Sequence, residues 1–326
     1  MNKRVTIKDI ARLSGCSVNC VSRALMDAPD ISIKTKEKIR RLADEIGYVY
    51  NRNAASLRSG KSRTVGILFD NLLNPFYYIM TNYIWEYLHD EGYTIITFKN
   101  DFAVFNEEIV RQILSNNVDG LLSFLQPSEA ASKLLESRAL PTVVLGRNAH
   151  GMCDCVFLDD RMGGRLAAAN FLSRGFKKPL YLGEVSSLEC SLERGKGFAE
   201  EFAKHGIQAD LQYLDTYGMQ KFANYFDELA ERNVLPDCIF CFNDYAAYEV
   251  MSAMDKRNVK GIAVIGYDNI QKEIFMPGTL TSIDYDKRNM AETAVQLLLK
   301  KINGVFDGHP RETLISDLQV SVTRPQ

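Results

Sequence analysis

Short apolar runs alternate with amphipathic helical stretches from residue 64 onward, and this alternation limits the folds open to the chain. The pattern is typical of parallel strands joined by crossover helices. The first series has apolar runs at residues 65–69, 94–98, 120–124 and 142–145, with helices beginning near residues 76, 106 and 128. The second has apolar runs at residues 180–183, 211–214, 238–242 and 262–265, with helices at residues 161–174, 193–205, 218–232, 245–257 and 287–302. We therefore predict an α/β body of two doubly wound parallel-sheet halves in tandem.

Polar and aromatic residues gather directly after these apolar runs. Ligands of doubly wound folds lie beyond the carboxyl ends of the strands, so two facing halves place a site in the cleft between them. A carboxylate, an amide and a guanidinium can bond the hydroxyl groups of a sugar while aromatic rings cover its C–H face. The residues predicted to line the cleft are Phe76, Tyr77, Arg194, Asn243 and Asp268.

Acidic and amide residues at strand ends also have a purely structural interpretation. Asp and Asn commonly cap the helix that follows a strand. For Asp244 we prefer this capping role. For Arg194, which follows the loop after Gly183, and for Asp268 we prefer contact with a ligand.

The first 25 residues have the spacing of two short helices. Thr6 can accept hydrogen bonds at a helix start, and apolar residues follow it at helical spacing. Gly15 then permits the left-handed backbone of a tight turn, and Ser17 can cap a second helix. The apolar positions of the two helices are Ile7, Ile10, Ala11 and Leu13, and then Val18, Val21 and Leu25.

The second of these helices has a polar outward face, formed by Asn19, Ser22 and Arg23. Two short helices joined by about four residues fit a helix-turn-helix, in which the second helix enters the DNA major groove. A third helix is predicted from Ser32 to about Glu45, and Gly47 ends it. An ordinary three-helix interaction module is the alternative that this pattern leaves open.

Charge is distributed unevenly along the chain. Residues 1–63 contain 14 Lys and Arg against 6 Asp and Glu, whereas the remaining residues contain 25 against 35. A basic segment on an acidic body suits a polyanion that binds at one end only. No apolar stretch approaches the roughly 20 residues needed to span a bilayer, and residues 1–4 do not resemble a signal peptide. We expect a cytoplasmic protein without a membrane partner.

Neither the cysteines nor the histidines form a recognisable catalytic or metal-binding set. The seven cysteines are scattered and odd in number, so we expect reduced thiols. Cys238 and Cys241 have CxxC spacing, but they lie in an apolar run without a second pair. No GxSxG, P-loop or HExxH motif accompanies the four histidines. We expect neither an enzyme nor a bound metal or cofactor.

Several motifs of the first 58 residues resemble a known family, the bacterial repressors related to the lactose, purine and galactose repressors. These motifs are VTIKDIARLSGCS from residue 5, VSRAL at 21–25, ISIKTKEKI at 31–39, Gly47-Tyr48, Asn51 and AASLR at 54–58. The body adds NPFY at 74–77, LDD at 158–160, ERGKGF at 193–198, FND at 242–244, GYDN at 266–269 and LTSI at 280–283. The resemblance implies a helix-turn-helix followed by a two-lobed body like that of the periplasmic binding proteins.

The same resemblance implies roles for individual residues. Val18, Asn19 and Arg23 would face the major groove, with Ser17 and Ser22 on phosphates; Thr6 and Asn51 also belong to the predicted DNA-binding set. Leu57 would be the hinge residue that wedges into the minor groove. In the body, the effector would contact the predicted cleft residues and stack on an aromatic residue near Tyr217.

Departures from the family pattern affect both sites. Cys20 stands where the family usually has Thr, and Tyr50 where it usually has Pro, which leaves the operator sequence open. In the body, Cys190 replaces a usual Ser, Gly146 a frequent Asp, and Phe124 the Asn of some sugar-binding relatives. These changes favour an effector that is smaller, more apolar or poorer in hydroxyl groups than a typical hexose, although a sugar remains the first expectation.

Together these features predict a transcriptional regulator, most simply a repressor, that binds double-stranded DNA as a homodimer. One helix-turn-helix buries too little surface for tight specific binding, whereas two read a pseudo-palindromic operator. The predicted parts are a DNA-binding domain at 1–50, a hinge at 51–63 that orders on DNA, and an effector and dimerisation domain at 64–326. Its N-subdomain comprises about 64–158 and 287–315, and its C-subdomain about 159–284 and 317–326. The competing hypothesis is a sugar-binding receptor of the transport type, which would need a signal peptide and no helix-turn-helix.

Overall fold

The computed structural model describes residues 5–49, 60–185, 188–214, 220–276, 278–305 and 309–321. The chain divides into two compact units, Met1–Ser62 and Arg63–Gln326. Among the described residues, no helix is both long enough and apolar enough to cross a membrane.

The described residues of the first unit form three helices, α1 (Ile7–Ser14), α2 (Val18–Leu25) and α3 (Ile33–Glu45). All three predicted helices are confirmed, and the predicted residues stand at their ends. Ser17 Oγ accepts from Cys20 N at 3.1 Å, Ser32 Oγ accepts from Thr35 N at 3.2 Å, and Gly15 has a positive φ of 68°. The core of this unit is made of small and β-branched residues: Ile10, Ala11, Val21, Ala24, Ile39 and Ala43.

Two predictions for the first unit are wrong. Leu13, predicted to face the core, is 51% exposed. Ser22, predicted on the outward face of α2, is only 7% exposed. Ser22 lies four residues after Val18 and one after Val21, so helical geometry turns it toward the core rather than outward.

The second unit contains two six-stranded sheets, each flanked by helices. The strands of the first sheet lie in the order Glu312–Ile315, Asp154–Leu158, Thr142–Leu145, Gly120–Ser123, Thr64–Phe69 and Thr94–Lys99, and those of the second in the order Gln319–Ser321, Thr281–Asp284, Ala263–Tyr267, Cys238–Cys241, Pro179–Gly183 and Asp210–Tyr213. All pairings within them are parallel except that of Thr281–Asp284 with Gln319–Ser321. We call the lobe built on the first sheet the N-lobe and the other the C-lobe.

The described strands and helices follow the predicted alternation. The strands are β1 (Thr64–Phe69), β2 (Thr94–Lys99), β3 (Val104–Phe105), β4 (Gly120–Ser123), β5 (Gln126–Pro127), β6 (Thr142–Leu145), β7 (Asp154–Leu158), β8 (Pro179–Gly183), β9 (Asp210–Tyr213), β10 (Cys238–Cys241), β11 (Ala263–Tyr267), β12 (Thr281–Asp284), β13 (Glu312–Ile315) and β14 (Gln319–Ser321). The helices are α4 (Pro75–Asp90), α5 (Glu107–Ser115), α6 (Glu129–Ser137), α7 (Asp160–Ser173), α8 (Glu189–Ala203), α9 (Lys221–Glu231), α10 (Asp244–Lys256) and α11 (Lys287–Ile302), with a 3₁₀ turn at Ile270–Lys272.

Four strands of the two large sheets were not predicted: β7, β12, β13 and β14. They are three to five residues long and mix apolar with charged or polar side chains, so they lack a clear apolar run. They mark the three places where the chain passes between the lobes: after β7, after β12, and between β13 and β14. The cleft between the lobes lies beside these crossings.

Helices α7 and α8 approach each other at backbone distance on the C-lobe side of the cleft. A Cβ atom on Gly164 would lie 2.0 Å from the carbonyl oxygen of Arg194, and one on Gly197 would lie 2.0 Å from that of Arg161. Only glycine fits at such separations. This contact fixes the position of Arg194, one of the residues of α8 that reach the cleft.

Candidate functional site

The cleft between the lobes contains two cavities, of about 650 Å³ and about 300 Å³. A narrow space of about 60 Å³ shares lining residues with both. Five of the six residues predicted to bind an effector line this narrow space: Phe76, Tyr77, Arg194, Asn243 and Asp268. The sixth, Tyr217, lies outside the described residues. The structure thus gathers side chains from segments that are far apart in the sequence.

Aromatic rings form the N-lobe wall of the cleft. Asn74 Oδ1 accepts from Phe76 N at 3.0 Å and so begins α4, which places Phe76 and Tyr77 at the carboxyl end of β1. The Tyr77 ring lies 5.2 Å from Phe124 and stacks on Phe69 at 5.6 Å, measured between centroids. Because these rings pack mainly edge to face on one another, they form a rigid, largely apolar surface.

Arg194 forms the centre of the C-lobe wall. It lies within a helix, as predicted, but this helix, α8, begins at Glu189, four residues before the predicted start at residue 193. Its Nε donates to Asp160 Oδ1 at 2.7 Å, and its guanidinium carbon lies 3.4 Å from the centroid of the Tyr267 ring. Its Nη1 donates to the Phe242 carbonyl at 2.5 Å. The side chain is 5% exposed and is held from three sides.

Two buried carboxyl groups accompany Arg194. Burial raises the pKa of Asp160 to about 6, although the charge and the hydrogen bond of Arg194 oppose the rise. Burial likewise raises the pKa of Asp268, against Arg194, Lys287 and the hydrogen bond that Tyr285 OH donates to Asp268 Oδ1 at 3.0 Å. Neither Nη2 of Arg194 nor Oδ2 of Asp268 has a hydrogen-bond partner among the described residues. Each group is able to bond a ligand hydroxyl.

The backbone at Asp268 is held in an unusual conformation. Its φ is 97°, in the region that normally favours glycine, and that of Asn269 is 46°. Lys287, which is almost fully buried, donates from Nζ to the Asp268 carbonyl at 2.5 Å and lies 3.4 Å from both Asp284 Oδ1 and Glu273 Oε1. The first residue of α11 therefore supports the loop that presents Asp268 to the cleft.

Asn243, rather than Asp244, caps the helix that follows β10. Asn243 is the cap of α10, since its Oδ1 accepts from Ala246 N at 2.9 Å, and only its amide nitrogen remains for a ligand. Asp244 was predicted to be the cap, which is wrong. It is buried, and its carboxylate accepts from Ser282 Oγ at 2.6 Å and from Ile270 N at 2.7 Å. Asp244 therefore has a structural role, as predicted, but it supports the loop after β11 instead of capping α10.

Arg147 is a cleft residue that the sequence did not single out. It lines all three spaces, is 9% exposed, and donates from Nη1 to the Ala103 carbonyl at 2.9 Å. Asp70 lies 3.7 Å from its Nη2. The sequence feature that could have identified Arg147 is its position just after β6. There Gly146 has a positive φ of 74° and turns the chain toward the cleft.

The charged side chains of the larger cavity have partners within the protein. Lys221 Nζ lies 2.5 Å from Glu184 Oε2, and Lys99 pairs with Asp101. Glu249 accepts from the backbone N–H groups of Gln220 and Phe222. Since these charges have partners within the protein, the arrangement favours a neutral polar ligand over an ion.

The first unit presents a smaller set of candidate residues. Asn19 is exposed, and Arg23 is about half exposed with its Nη2 on Asp30 Oδ1 at 2.7 Å. Val18 is half-buried, and Ser17 and Thr6 are exposed at the starts of their helices. Thr6 Oγ1 donates to Asp9 Oδ2 at 2.8 Å. Two further predicted DNA contacts, Asn51 and Leu57, and most of the predicted hinge at 51–63 lie outside the described residues.

The described cysteine and histidine side chains do not gather into a metal-binding group. Cys238 and Cys241 are buried in β10, and the part of the chain that the structure describes holds no group of three or more His, Cys, Asp or Glu residues able to bind a metal. His89 stacks on Trp85, and His150 Nε2 lies 2.7 Å from Glu189 Oε2.

Comparisons with known proteins agree with this arrangement. Residues 6–51 match the bacterial regulatory proteins of the lacI family, and residues 168–320 match the periplasmic binding protein-like domain. The transcriptional repressor PurR of Photobacterium profundum is 28% identical over 311 residues, which cover 91% of this chain and 92% of that relative.

Two solved structures share the fold. The lac repressor dimer bound to operator and the anti-inducer ONPF superposes with a TM-score of 0.80 at 21% identity, covering 98% of both chains. The transcriptional regulator CelR in complex with cellobiose has a TM-score of 0.68 at 21% identity, covering 98% of this chain and 99% of that one. The chain thus joins a helix-turn-helix domain of the lacI family of bacterial regulatory proteins to a two-lobed, periplasmic binding protein-like domain.

Proposed function

We propose that this chain is a DNA-binding transcriptional repressor whose affinity for its operator is set by a small neutral molecule bound between the two lobes. The observation that carries the effector site is the convergence of Phe76, Tyr77, Arg194, Asn243 and Asp268 on one narrow space. Family membership supports the regulatory role, and its members are regulators rather than enzymes. A cytoplasmic location follows from the proposed DNA partner.

The effector that suits this cleft is neutral, bears hydroxyl groups and has one apolar face. The Asp268 carboxylate and the Arg194 guanidinium can accept from and donate to hydroxyl groups, while the aromatic wall can cover C–H groups. A sugar has these properties. The adjoining cavity of about 650 Å³ lies in the range occupied by ligand pockets and argues against the smaller effector expected from the sequence. In support, CelR was solved with cellobiose.

Recognition of DNA is assigned to the exposed side of α2. Val18, Asn19 and Arg23 would read base edges, and Ser17 would contact a phosphate. Ser22 is removed from the set because it is buried. Thr6, Asn51 and Leu57 remain proposed contacts, and Tyr217 a proposed effector contact, on the family resemblance alone.

Dimerisation would cover an exposed aromatic surface of the body. Tyr78 and Trp85 lie seven residues apart on α4 and are 68% and 48% exposed, so they share one face of the helix. Helix α4 packs against the 3₁₀ turn Ile270–Lys272, which leads to Phe275, a residue that is 97% exposed. Exposed aromatic residues on one helix face, such as Tyr78 and Trp85, mark interaction sites. A second copy of the chain is the proposed occupant.

Effector binding would change operator affinity by changing how the lobes close. The effector acts only if it binds the two body conformations with different affinity. A change in closure within a dimer would alter the spacing of the two hinge segments and so favour or disfavour the DNA-bound arrangement. The same scheme accommodates an inducer and a corepressor.

The DNA half of the proposal is tested by selecting duplexes from a random library with the purified protein and measuring their affinity by fluorescence anisotropy. We expect a pseudo-palindromic site. Asn19→Ala should weaken binding to it by about 1–3 kcal/mol, whereas Arg12→Ala, on the exposed side of α1, serves as a matched surface control. Failure to select any sequence would contradict the proposal and favour the solute-receptor alternative.

The effector half is tested by a thermal-shift screen against sugars, sugar phosphates, nucleobases and amino acids. A ligand at about one hundred times its dissociation constant should stabilise the protein by about 2.7 kcal/mol. Neutral sugars should give the shift, and Asp268→Asn should remove it. A shift that survives Asp268→Asn unchanged would place the ligand elsewhere.

A further inference from the structure

Three large apolar side chains line the cavity of about 650 Å³ although each is more than half exposed. Leu72 and Leu73 follow β1, and Phe102 follows β2. Strands β1 and β2 are neighbours in the first sheet, and Phe69 pairs with Lys99 at their carboxyl ends. The two loops therefore lie side by side on the N-lobe side of the cleft. We call Leu72, Leu73 and Phe102 the apolar rim.

Hydrogen bonds hold the backbone of both loops while these side chains stay exposed. In the first loop, Asn71 Oδ1 accepts from Leu73 N at 2.9 Å. In the second, the buried Asn100 donates from Nδ2 to the Phe102 carbonyl at 2.7 Å. The second loop also receives the hydrogen bond from Arg147 described above. The apolar rim is therefore a preformed surface, and little ordering is needed before a ligand can contact it.

The side chains of the apolar rim are hydrocarbons, and the amide groups beside them are used by the loops themselves. Asn71 Oδ1 and Asn100 Nδ2 both bond backbone groups of the rim. A ligand part that carries hydroxyl groups would lose hydrogen bonds to water against this surface, because the rim side chains cannot replace them. An apolar part would gain free energy by leaving water there. The apolar rim thus favours an apolar group.

The cavity beside the apolar rim adjoins the narrow space that holds the predicted effector residues. Five residues line both spaces: Asn74, Tyr77, Arg147, Phe242 and Asn243. Arg194 and Asp268 line the narrow space, whereas the rim lines the larger cavity. The cleft therefore has a polar end and an apolar end, and one molecule that occupies both must be polar at one end only.

We propose that the effector is a glycoside, in which a sugar ring carries an apolar aglycone on its anomeric oxygen. The sugar ring bonds the polar groups of the C-lobe wall, and the aglycone lies on the apolar rim. This inference rests on the proposed effector function, since it names the class of ligand for the same cleft. It agrees with the departures at Gly146 and Phe124, which favour an effector more apolar than a typical hexose.

Paired glycosides measure what the apolar rim contributes to binding. The probes are the methyl and phenyl glycosides of glucose, galactose, mannose and xylose in both anomeric forms, titrated calorimetrically into the full-length protein. Burial of about 55 Å² of apolar surface raises an affinity about tenfold. We therefore expect at least one phenyl glycoside to bind at least about tenfold more tightly than its methyl counterpart. Its heat-capacity change on binding should also be more negative.

Substitutions on the apolar rim locate the aglycone. Phe102→Ser and Leu73→Ser should each lower the affinity for that phenyl glycoside by at least about threefold, and should change the affinity for the methyl glycoside by less than about twofold. Val234→Ser is the matched control, because Val234 is also about half exposed but lies between α9 and β10. It should leave both affinities unchanged. Thermal unfolding of the ligand-free variants checks that these exposed substitutions preserve the fold.

Three results would overturn the inference and leave the proposed effector site in place. They are a phenyl glycoside that binds no more tightly than its methyl counterpart, a gain that survives both rim variants, and tighter binding of cellobiose than of phenyl β-D-glucoside. The last result would place a second sugar on the apolar rim. If none of the glycosides binds, the inference and the assignment of a sugar effector fail together.

Discussion

The two walls of the interlobe cleft differ in how their side chains are held. The N-lobe wall consists of Phe76, Tyr77 and Phe124, whose rings pack on one another, with Arg147 as its buried cation. The C-lobe wall consists of Arg194, which is hydrogen-bonded to the buried Asp160, and of the buried Asp268, which accepts a hydrogen bond from Tyr285. The N-lobe wall is a largely apolar surface of fixed shape, whereas the C-lobe wall carries polar groups in fixed positions. We infer that the C-lobe decides which ligand binds and that the N-lobe covers it.

The largest expected effect separates the two buried arginines. Arg194→Met should destabilise the ligand-free protein by about 3–5 kcal/mol, because it leaves Asp160 buried without its partner. Arg147→Met should lower the free energy of unfolding by only about 1 kcal/mol, since Asp70 is partly exposed and its Oδ2 lies 3.7 Å from Arg147 Nη2. Urea denaturation of both variants measures the difference. Equal losses of stability in the two variants would mean that the two arginines stabilise their walls to the same extent.

Glycine replacements compare the backbone of the two lobes. Gly164→Ala should cost about 2–3 kcal/mol, because the new Cβ would lie 2.0 Å from the Arg194 carbonyl oxygen in the adjacent helix. Gly66→Ala in β1 is the matched N-lobe change, and there the nearest atom is a Phe98 side-chain carbon at 3.1 Å, which can shift. We expect a cost below about 1 kcal/mol for it. Thermal unfolding checks both values, and a mild Gly164→Ala would contradict the rigid α7–α8 contact.

Acidification should stabilise the protein through the C-lobe wall. The pKa of Asp160 is raised to about 6 in the folded state, above its ordinary value of about 3.9 when unfolded. The folded state therefore binds the Asp160 proton more tightly than the unfolded state does. The stabilisation that results is fully present below the unfolded pKa and is lost as the pH rises through about 6. Between about pH 7.5 and about pH 5 the gain should be about 1.4 kcal/mol.

Denaturation curves at the two pH values measure this gain, with Asp160→Asn as the control. The variant should show a shallower dependence, although Asp268, whose pKa is also raised, leaves a part of it. A wild-type protein that loses stability over this range, or a variant with the same slope, would count against the assignment.

The smallest expected effect concerns Cys190, which lines the narrow space and the smaller cavity. Burial raises its pKa to about 11, so the side chain is a neutral thiol at physiological pH. Cys190→Ser should change stability by less than about 1 kcal/mol and should preserve or moderately strengthen binding of hydroxyl-rich ligands in the thermal-shift assay. Loss of the ligand shift would show that the thiol itself is required.

The sequence predicted the alternation of strands and helices well because apolar periodicity is local. It failed where position depends on distant packing. Arg194 pairs with Asp160, 34 residues away, and only the contact between α7 and α8 brings them together. Arg147 reaches the cleft because of the turn at Gly146. Ser22 is a different failure, since its spacing from Val18 already indicated the buried face.

The measurement that tests the account most directly is operator affinity as a function of ligand concentration, for the wild type and for Asp268→Asn. The duplex and the ligand are those found by selection and by the thermal-shift screen. We predict that the ligand changes the DNA affinity of the wild type by about 5–150-fold, the range of typical allosteric coupling. Asp268→Asn should bind the same duplex equally well without ligand and show no response to it. Wild-type affinity that is independent of ligand, or a variant that responds as the wild type does, would contradict control of DNA binding from this cleft.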